Sequence, residues 1–490
     1  MDTRVVKVLV IAGLMLAVFV PRVLDLDAVR SPDEKRWLAN TSGFVTKFAH
    51  GQIDQLVQQP HPGITTQWLG ALTIRADDWA IKKLPLVVGQ GLLILLIGYI
   101  FWRRWGAWTG GLAIALLATN PFLFAHTRVY AMDSLLALFL LLSVAALLLW
   151  QKDTQTRYLV LAGVAGAAAL LSKLPGVIIV PFTGLVLIYW AWRHKWGTKL
   201  LTRTSVIWLV AFAIGLIIFL PSIAVAPLGV YGEFAELFRS DEYLDAHAAP
   251  ATYYLGSLLF FSTPAQMLLL VIAIGALAWH QRVAKDSKLD RTAIVVFLLF
   301  AVLFTVQMMI GLKKGDRYVL PSFLFLDASA AITLGWLVTL KTKALWRPAA
   351  LVLATLTIIW QAGIIVTDYQ HQLAYVNPLT RSLFGERRHG WGEGLDLAAK
   401  YLNSKPNVDS LTVATVWPSE FESKFVGRAI NAHQHDNGSA DYVIIYRSML
   451  ARGPDAWETD LVTYYKQFTP EHIIRLSGIE MAWIYNRSAL

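Results

Sequence analysis

The 490 residues include no cysteine. Disulfides, iron–sulfur clusters and thiolate zinc sites are therefore excluded, and any part that faces an oxidising space must hold together by packing alone. Charge is scarce, at 16% of residues, and acids are fewer than bases, 33 against 43. No internal repeat or low-complexity tract is visible, so the sequence lacks the duplicated halves on which many transporters are built. The basic residues form no single stripe, and the formal charge of +10 does not read as a nucleic-acid footprint.

What the chain has in abundance is apolar sequence, 56% of residues, with 19 tryptophans. That composition belongs to an integral membrane protein. Crossing a hydrocarbon core takes ~20 apolar residues as helix, and about eleven such stretches are predicted. They lie near residues 4–24, 84–102, 108–126, 133–150, 158–173, 174–192, 204–226, 255–279, 292–312, 319–340 and 348–367. Arg4 and Lys7 precede the first stretch as they would in a secretory signal, but no small-x-small cleavage site follows, so it is expected to stay as an anchor. With that count, the basic loops at Arg103-Arg104, Lys152 and Arg157, Arg193 to Arg203, Arg282 to Arg291, and Lys341 to Arg347 share one side. The positive-inside rule makes that side cytoplasmic, with the amino terminus inside, the carboxyl terminus outside, and the cell membrane as the location.

The expected fold is mainly α: a polytopic helical bundle over residues 1–367, followed by a small extracytoplasmic α/β domain over 368–490. The first external loop, 25–83, is too long for a turn and is expected to hold interfacial helices. A second external loop, 227–254, mixes acids with tyrosine and phenylalanine and reads either as a flap over a membrane-level cavity or as a solvated loop. In the tail, 394–402 and 455–468 have helical spacing, while 410–416, 442–446, 473–476 and 481–485 read as strands.

The acids just past the first stretch attract attention because the apolar stretches otherwise avoid carboxylates. Ser31-Pro32-Asp33-Glu34 has the form of a capping box with proline in the first turn, which accounts for both acids without any substrate. Arg36 follows Asp33 by three positions and shares its helix face, so a carboxylate and a guanidinium stand together. His61 lies between Pro60 and Pro62, a stiff extended segment. Further polar clusters are His126, Arg128, Tyr130 and Asp133; Lys173 within Ser172-Lys173-Leu174-Pro175; and Lys313-Lys314-Gly315-Asp316-Arg317-Tyr318. Arg128 and the lysines would snorkel in the bland reading, and Asp133 would cap a helix. Membrane-embedded cations nonetheless tend to face water, a partner or a ligand, and these share the external face with Asp33, Glu34 and Asp133. Cations beside carboxylates suit an anionic headgroup carried by a lipid.

In order, Asp33-Glu34-x-Arg36-Trp37, Pro60-His61-Pro62-Gly63, Arg128 with Met132-Asp133, Ser172-Lys173-x-Pro175 and Lys313-x-x-Asp316-Arg317-Tyr318 resemble the GT-C superfamily of membrane glycosyltransferases. The resemblance is to the branch of protein O-mannosyltransferases and bacterial aminoarabinose transferases of lipid A. The tail motifs Tyr375-x-Asn377-Pro378 and Gly390-Trp391-Gly392-Glu393-Gly394 resemble the external domain of bacterial members. The resemblance implies Asp33 as catalytic base with Glu34 as its acidic partner, and a polyprenyl-phosphate sugar donor attacked with inversion by an acceptor hydroxyl of protein, lipid or glycan. It implies Arg36, Lys173 and Arg317 near the donor phosphate, with His61, Arg128, Asp133, Lys313 and Tyr318 completing the substrate site and membrane lipid as surroundings. The alternative is a transporter or flippase of a lipid-linked or phosphorylated sugar. Where Pro60-His61-Pro62-Gly63 stands, the aminoarabinose transferases often carry an acidic-basic-Pro-Pro run, which weakens any metal role borrowed from that position. No cofactor is assigned, and a divalent cation is left open; His433-x-His435-Asp436 reads as a solvated loop, because a third ligand is missing.

Overall fold

The computed structural model describes residues 3–28, 30–57, 62–239, 250, 252–283, 289–311, 314–340, 345–387, 390–433, 440–451 and 456–489. The chain forms two units: residues 1–24 with 37–363, and residues 25–36 with 364–490. The second unit thus takes in the segment 25–36, which the sequence reading placed with the membrane part.

The first unit is helical. Seven of its described helices, or reaching into its end, are long and apolar enough to cross a membrane: Trp79–Trp105, Asp133–Asp153, Leu174–Arg193, Thr198–Phe219, Arg291–Ile310, Asp316–Thr339 and Trp346–Thr367. Two bent pairs bring the number to nine, and Val8–Val23 and Thr156–Ser172 are shorter apolar helices. The eleven predicted stretches all fall on these helices, but by length and composition seven to nine qualify as spans. Asp133–Asp153 and Asp316–Thr339 are almost wholly buried, whereas Thr198–Phe219 turns Val206, Leu209, Val210, Ile214, Ile217 and Ile218 outward. Such an exposed apolar stripe suits hydrocarbon, where backbone groups must be satisfied within the helix. The first loop contributes the helices Glu34–Ala49 and Ile64–Ala71.

Proline causes both bends. Ala107–Thr119 turns by 66° into Pro121–Thr127, and Tyr253–Phe261 by 109° into Pro264–Trp279, because proline opens a helix but has no N–H to continue one. Local side chains satisfy the broken backbone: Asn120 Oδ1 accepts from Leu123 N at 2.9 Å, and Thr263 and Gln266 form a reciprocal capping box. Asn120 Nδ2 and Gln266 Nε2 then both donate to the buried Asp327 carboxylate, at 2.6 and 2.9 Å. One acid pins two breaks.

The second unit is built on a five-stranded sheet of order β2-β1-β3-β5-β4, with β1 Thr412–Thr415, β2 Arg428–Asn431, β3 Tyr442–Tyr446, β4 His472–Leu476 and β5 Ile479–Asn486. β1 pairs in parallel with β2 and β3, while β3–β5 and β4–β5 are antiparallel. The central β3, Tyr-Val-Ile-Ile-Tyr, is buried along its whole length, as expected for a strand covered on both faces. Ser477-Gly478 joins β4 to β5 with positive φ at both residues, the geometry of a two-residue hairpin turn. Helix Leu395–Asn403 buries Leu395, Ala398, Ala399 and Leu402, the i, i+3, i+4, i+7 face of an amphipathic helix.

Candidate active site

Apolar bundles tolerate charge where it is paired, so buried ions mark the chemistry of the first unit. Asp133 is the first residue of Asp133–Asp153 and is 4% exposed. Its position at the positive end of a helix dipole favours a carboxylate. Oδ1 accepts a 2.7 Å hydrogen bond from Lys173 Nζ, and Oδ2 lies 3.7 Å from Arg317 Nε. Lys173, 6% exposed, sits where Thr156–Ser172 ends and the chain leaves extended, since Pro175 cannot prolong the helix. The Tyr318 ring lies 3.9 Å from Lys173 Nζ and 5.1 Å from the Arg317 guanidinium, centroid to atom, so both cations meet the same π system. Two cations thus face one carboxylate among the described residues, and Arg317, 23% exposed in its side chain, is the more accessible cation.

The dispersed motifs converge on this cluster. Ser172 donates to Ala168 O, so its hydroxyl accepts from Thr65 Oγ1 at 2.6 Å, while Gly63 N donates to Ser172 O at 3.2 Å. Gly63 has φ +56°, and a Cβ there would lie 2.7 Å from the Trp37 ring. Only glycine meets both demands. Gln307 Nε2 adds a 3.0 Å bond to Pro175 O. Asp133, Lys173, Arg317 and Tyr318 are therefore brought together, whereas Arg128 directs two guanidinium nitrogens to Pro21 O and Leu24 O, at 2.9 and 2.8 Å. It caps the end of helix Thr3–Val23. His61 and Lys313 lie outside the described residues.

Two buried polar groups escaped the sequence reading. Arg22, fully buried, bonds Thr127 Oγ1, Val18 O, Leu117 O and Ala118 O and covers the Phe124 ring. Its place at the end of an apolar run resembles a snorkelling residue, and Asp327 stands alone in its run; neither has a local signature. A cavity of about 430 Å³ lined by Trp150, His194, Trp196 and Arg203 opens at the other end of Asp133–Asp153, ~25 Å along the helix from Asp133. It is not the site of the ion cluster.

The predicted acids belong to the second unit. The helix starts at Glu34, after Pro32 and Asp33. Glu34 is 1% exposed; its Oε2 accepts from Ser31 N at 3.3 Å and its N donates to Ser31 O at 3.1 Å. The glutamate half of the capping box is thus built, but the buried Ser31 hydroxyl has no hydrogen-bond partner among the described residues. Glu34 shapes the turn, Asp33 stands in it half-buried, and Arg36 is exposed. Among the described residues, no group of three His, Asp or Glu is placed to hold a metal ion; His435 and Asp436 lie outside them.

Residues 61–225 match the model of the family described as dolichyl-phosphate-mannose-protein mannosyltransferase. No curated protein matches the sequence. Among solved structures, ArnT from Cupriavidus metallidurans bound to undecaprenyl phosphate is similar over 99% of this chain and 98% of its own, at 15% identity and a TM-score of 0.52. AglB, the oligosaccharyltransferase of Archaeoglobus fulgidus, in complex with an inhibitory peptide and a dolichol-phosphate, is similar over 89% of this chain and 69% of its own, at 12% identity and a TM-score of 0.52. The matched stretch 61–225 contains Gly63, Asp133, Ser172 and Lys173, and the fold is shared over nearly the full chain. By its fold the chain is thus similar to ArnT and AglB, and its residues 61–225 match the mannosyltransferase family model.

Proposed function

We propose that the protein is an inverting glycosyltransferase that moves a sugar from a polyprenyl-phosphate donor to an acceptor hydroxyl on the extracytoplasmic side of the cell membrane. The observation that carries this reading is the Asp133–Lys173–Arg317–Tyr318 cluster, in which Asp133 and Lys173 are buried and Arg317 is partly exposed. Fixed cationic donors in an apolar bundle suit a lipid-borne phosphate, and the departing phosphate gains negative charge as its glycosidic bond to the sugar breaks. Such cations therefore stabilise the transition state more than the ground state. In the proposed step the acceptor oxygen forms a bond to the anomeric carbon, the carbon–oxygen bond to phosphate breaks, and the Asp33 carboxylate takes the hydroxyl proton. The polyprenyl phosphate leaves with the bonding electron pair.

The test is turnover of purified protein with a polyprenyl-phosphate sugar and candidate acceptors. Asp33→Asn is expected to lose roughly 100-fold or more in kcat, the usual worth of a general base, and to bind donor normally. Lys173→Met is expected to lose donor binding. Parental turnover in Asp33→Asn removes the base, and donor movement across vesicles without any glycosidic product would favour a flippase.

A further inference from the structure

The loop Gly390-Trp391-Gly392-Glu393-Gly394 lies within the same unit as the segment 25–36, and the two meet closely. Gly392 has φ +102°, and a Cβ on it would stand 3.2 Å from Arg30 O and 3.6 Å from Pro32 Cδ. A side chain is refused twice, by backbone conformation and by a carbonyl that cannot move without the turn moving. The loop is itself anchored to the sheet. Tyr446, the last residue of the buried β3, donates to Glu393 Oε2 at 2.8 Å and accepts from Gly392 N at 3.1 Å, while Trp391 N donates to the same Oε2 at 2.6 Å. Burial, with the Glu393 carboxylate beside it, holds the Tyr446 phenol well above its usual pKa, so it remains a donor. The Trp417 ring braces the phenol edge-on at 5.0 Å. On the other flank Asp27 takes Arg30 on Oδ1 at 2.7 Å and Lys424 on Oδ2 at 3.4 Å.

We propose that Gly392, Glu393, Tyr446 and Lys424 are positioning residues: the C-terminal domain grips the turn 31–34 from both flanks and sets the aim of Asp33. The proposal rests on Asp33 as the base, and it gives the soluble domain a part in the chemistry beyond that of an appendage. Misplacing a reacting group by about 1 Å costs on the order of 100-fold in rate, so loosening the turn should act on kcat and leave donor affinity alone.

The absence of cysteine makes a direct test available. Lys35, exposed at the start of the helix, is changed to cysteine and spin-labelled as the only thiol in the full-length protein. Label mobility is read by electron paramagnetic resonance in the Gly392→Ala, Tyr446→Phe and Lys424→Ala backgrounds, alongside kcat and donor Kd for the unlabelled variants. The expected result is raised mobility, kcat down roughly 10- to 100-fold and donor Kd within about threefold, with Lys424→Arg restoring both readouts. Unchanged mobility in Gly392→Ala and Tyr446→Phe overturns the proposal, and so does raised mobility with parental kcat. Should Gly392→Ala not fold, the two milder variants decide. If Asp33→Asn turns over at the parental rate while mobility still rises, the grip on the turn stands and the assignment of the base fails.

Discussion

Replacing Asp133 by asparagine keeps the shape of the side chain and deletes a charge that opposes both Lys173 and Arg317. The two cations then differ in what they lose. Arg317 is partly exposed and 3.7 Å away, so its guanidinium can recover hydration; Lys173 is nearly buried, bonded at 2.7 Å, and retains the Tyr318 face as its described contact. Removing one partner of a buried pair costs about 3–5 kcal/mol, and a cation–π contact retains about 1–2 kcal/mol of that. The net expectation is a loss of about 2–3 kcal/mol in the free energy of unfolding, measured in detergent micelles by denaturant titration. Lys173→Met in the same background removes the stranded charge and should recover about half, whereas Lys173→Met alone should cost less than Asp133→Asn, because Asp133 keeps Arg317. A cost below about 0.5 kcal/mol for Asp133→Asn, or a double variant no more stable than the single, would refute the argument that this carboxylate holds the cations in place.

Three other outcomes follow from particular contacts. Asp327→Ala strands Asn120 Nδ2 and Gln266 Nε2, each worth about 1–3 kcal/mol when buried without a partner; Asp327→Asn strands one and should cost about half as much in the same unfolding assay. Arg317→Gln should raise the Kd for polyprenyl phosphate about tenfold, or 1.4 kcal/mol, read by fluorescence titration; an unchanged Kd would separate this cation from the phosphate. Glu471 presents a pH test in the second unit. Burial would raise its pKa, but hydrogen bonds from Lys405, Tyr401 and Asn486 prevail and hold it below the ordinary value. Its contribution is therefore present above the unfolded pKa near 4.5 and is lost as pH falls through the depressed folded value. Being largely exposed, the group should be worth no more than about 1 kcal/mol: Glu471→Gln should loosen amide protection where β4 begins at pH 7 and leave it unchanged at about pH 2.

The membrane character and the positions of the apolar helices were legible because each rests on a local property, the run of hydrophobic side chains that a helix must present to lipid. The strands β1, β3, β4 and β5 and the helix Leu395–Asn403 were readable for the same reason, since their periodicity reports on their own burial. β2, Arg428–Asn431, was missed: four residues with one side chain buried carry no period, and the strand exists through its parallel pairing with β1. The capping box was half legible, with Glu34 bonded as its spacing suggests and the Ser31 hydroxyl without a hydrogen-bond partner among the described residues. The contacts of Arg128 with Pro21 O and Leu24 O were not legible, because a cation at a helix end reads alike whether it serves a ligand or the carbonyls of another helix.

The sequence by itself determined that this is a multi-pass membrane protein with a small α/β tail, and which motifs carry polar chemistry. Tertiary structure alone decided that Asp133, Lys173, Arg317 and Tyr318 share one cluster, that Asp327 fastens two broken helices, and that residues 25–36 belong with the C-terminal unit. The physical reason is range: helix and strand periods are written within about ten residues, whereas ion pairs and buried hydrogen bonds join side-chain ends whose meeting depends on how whole helices pack.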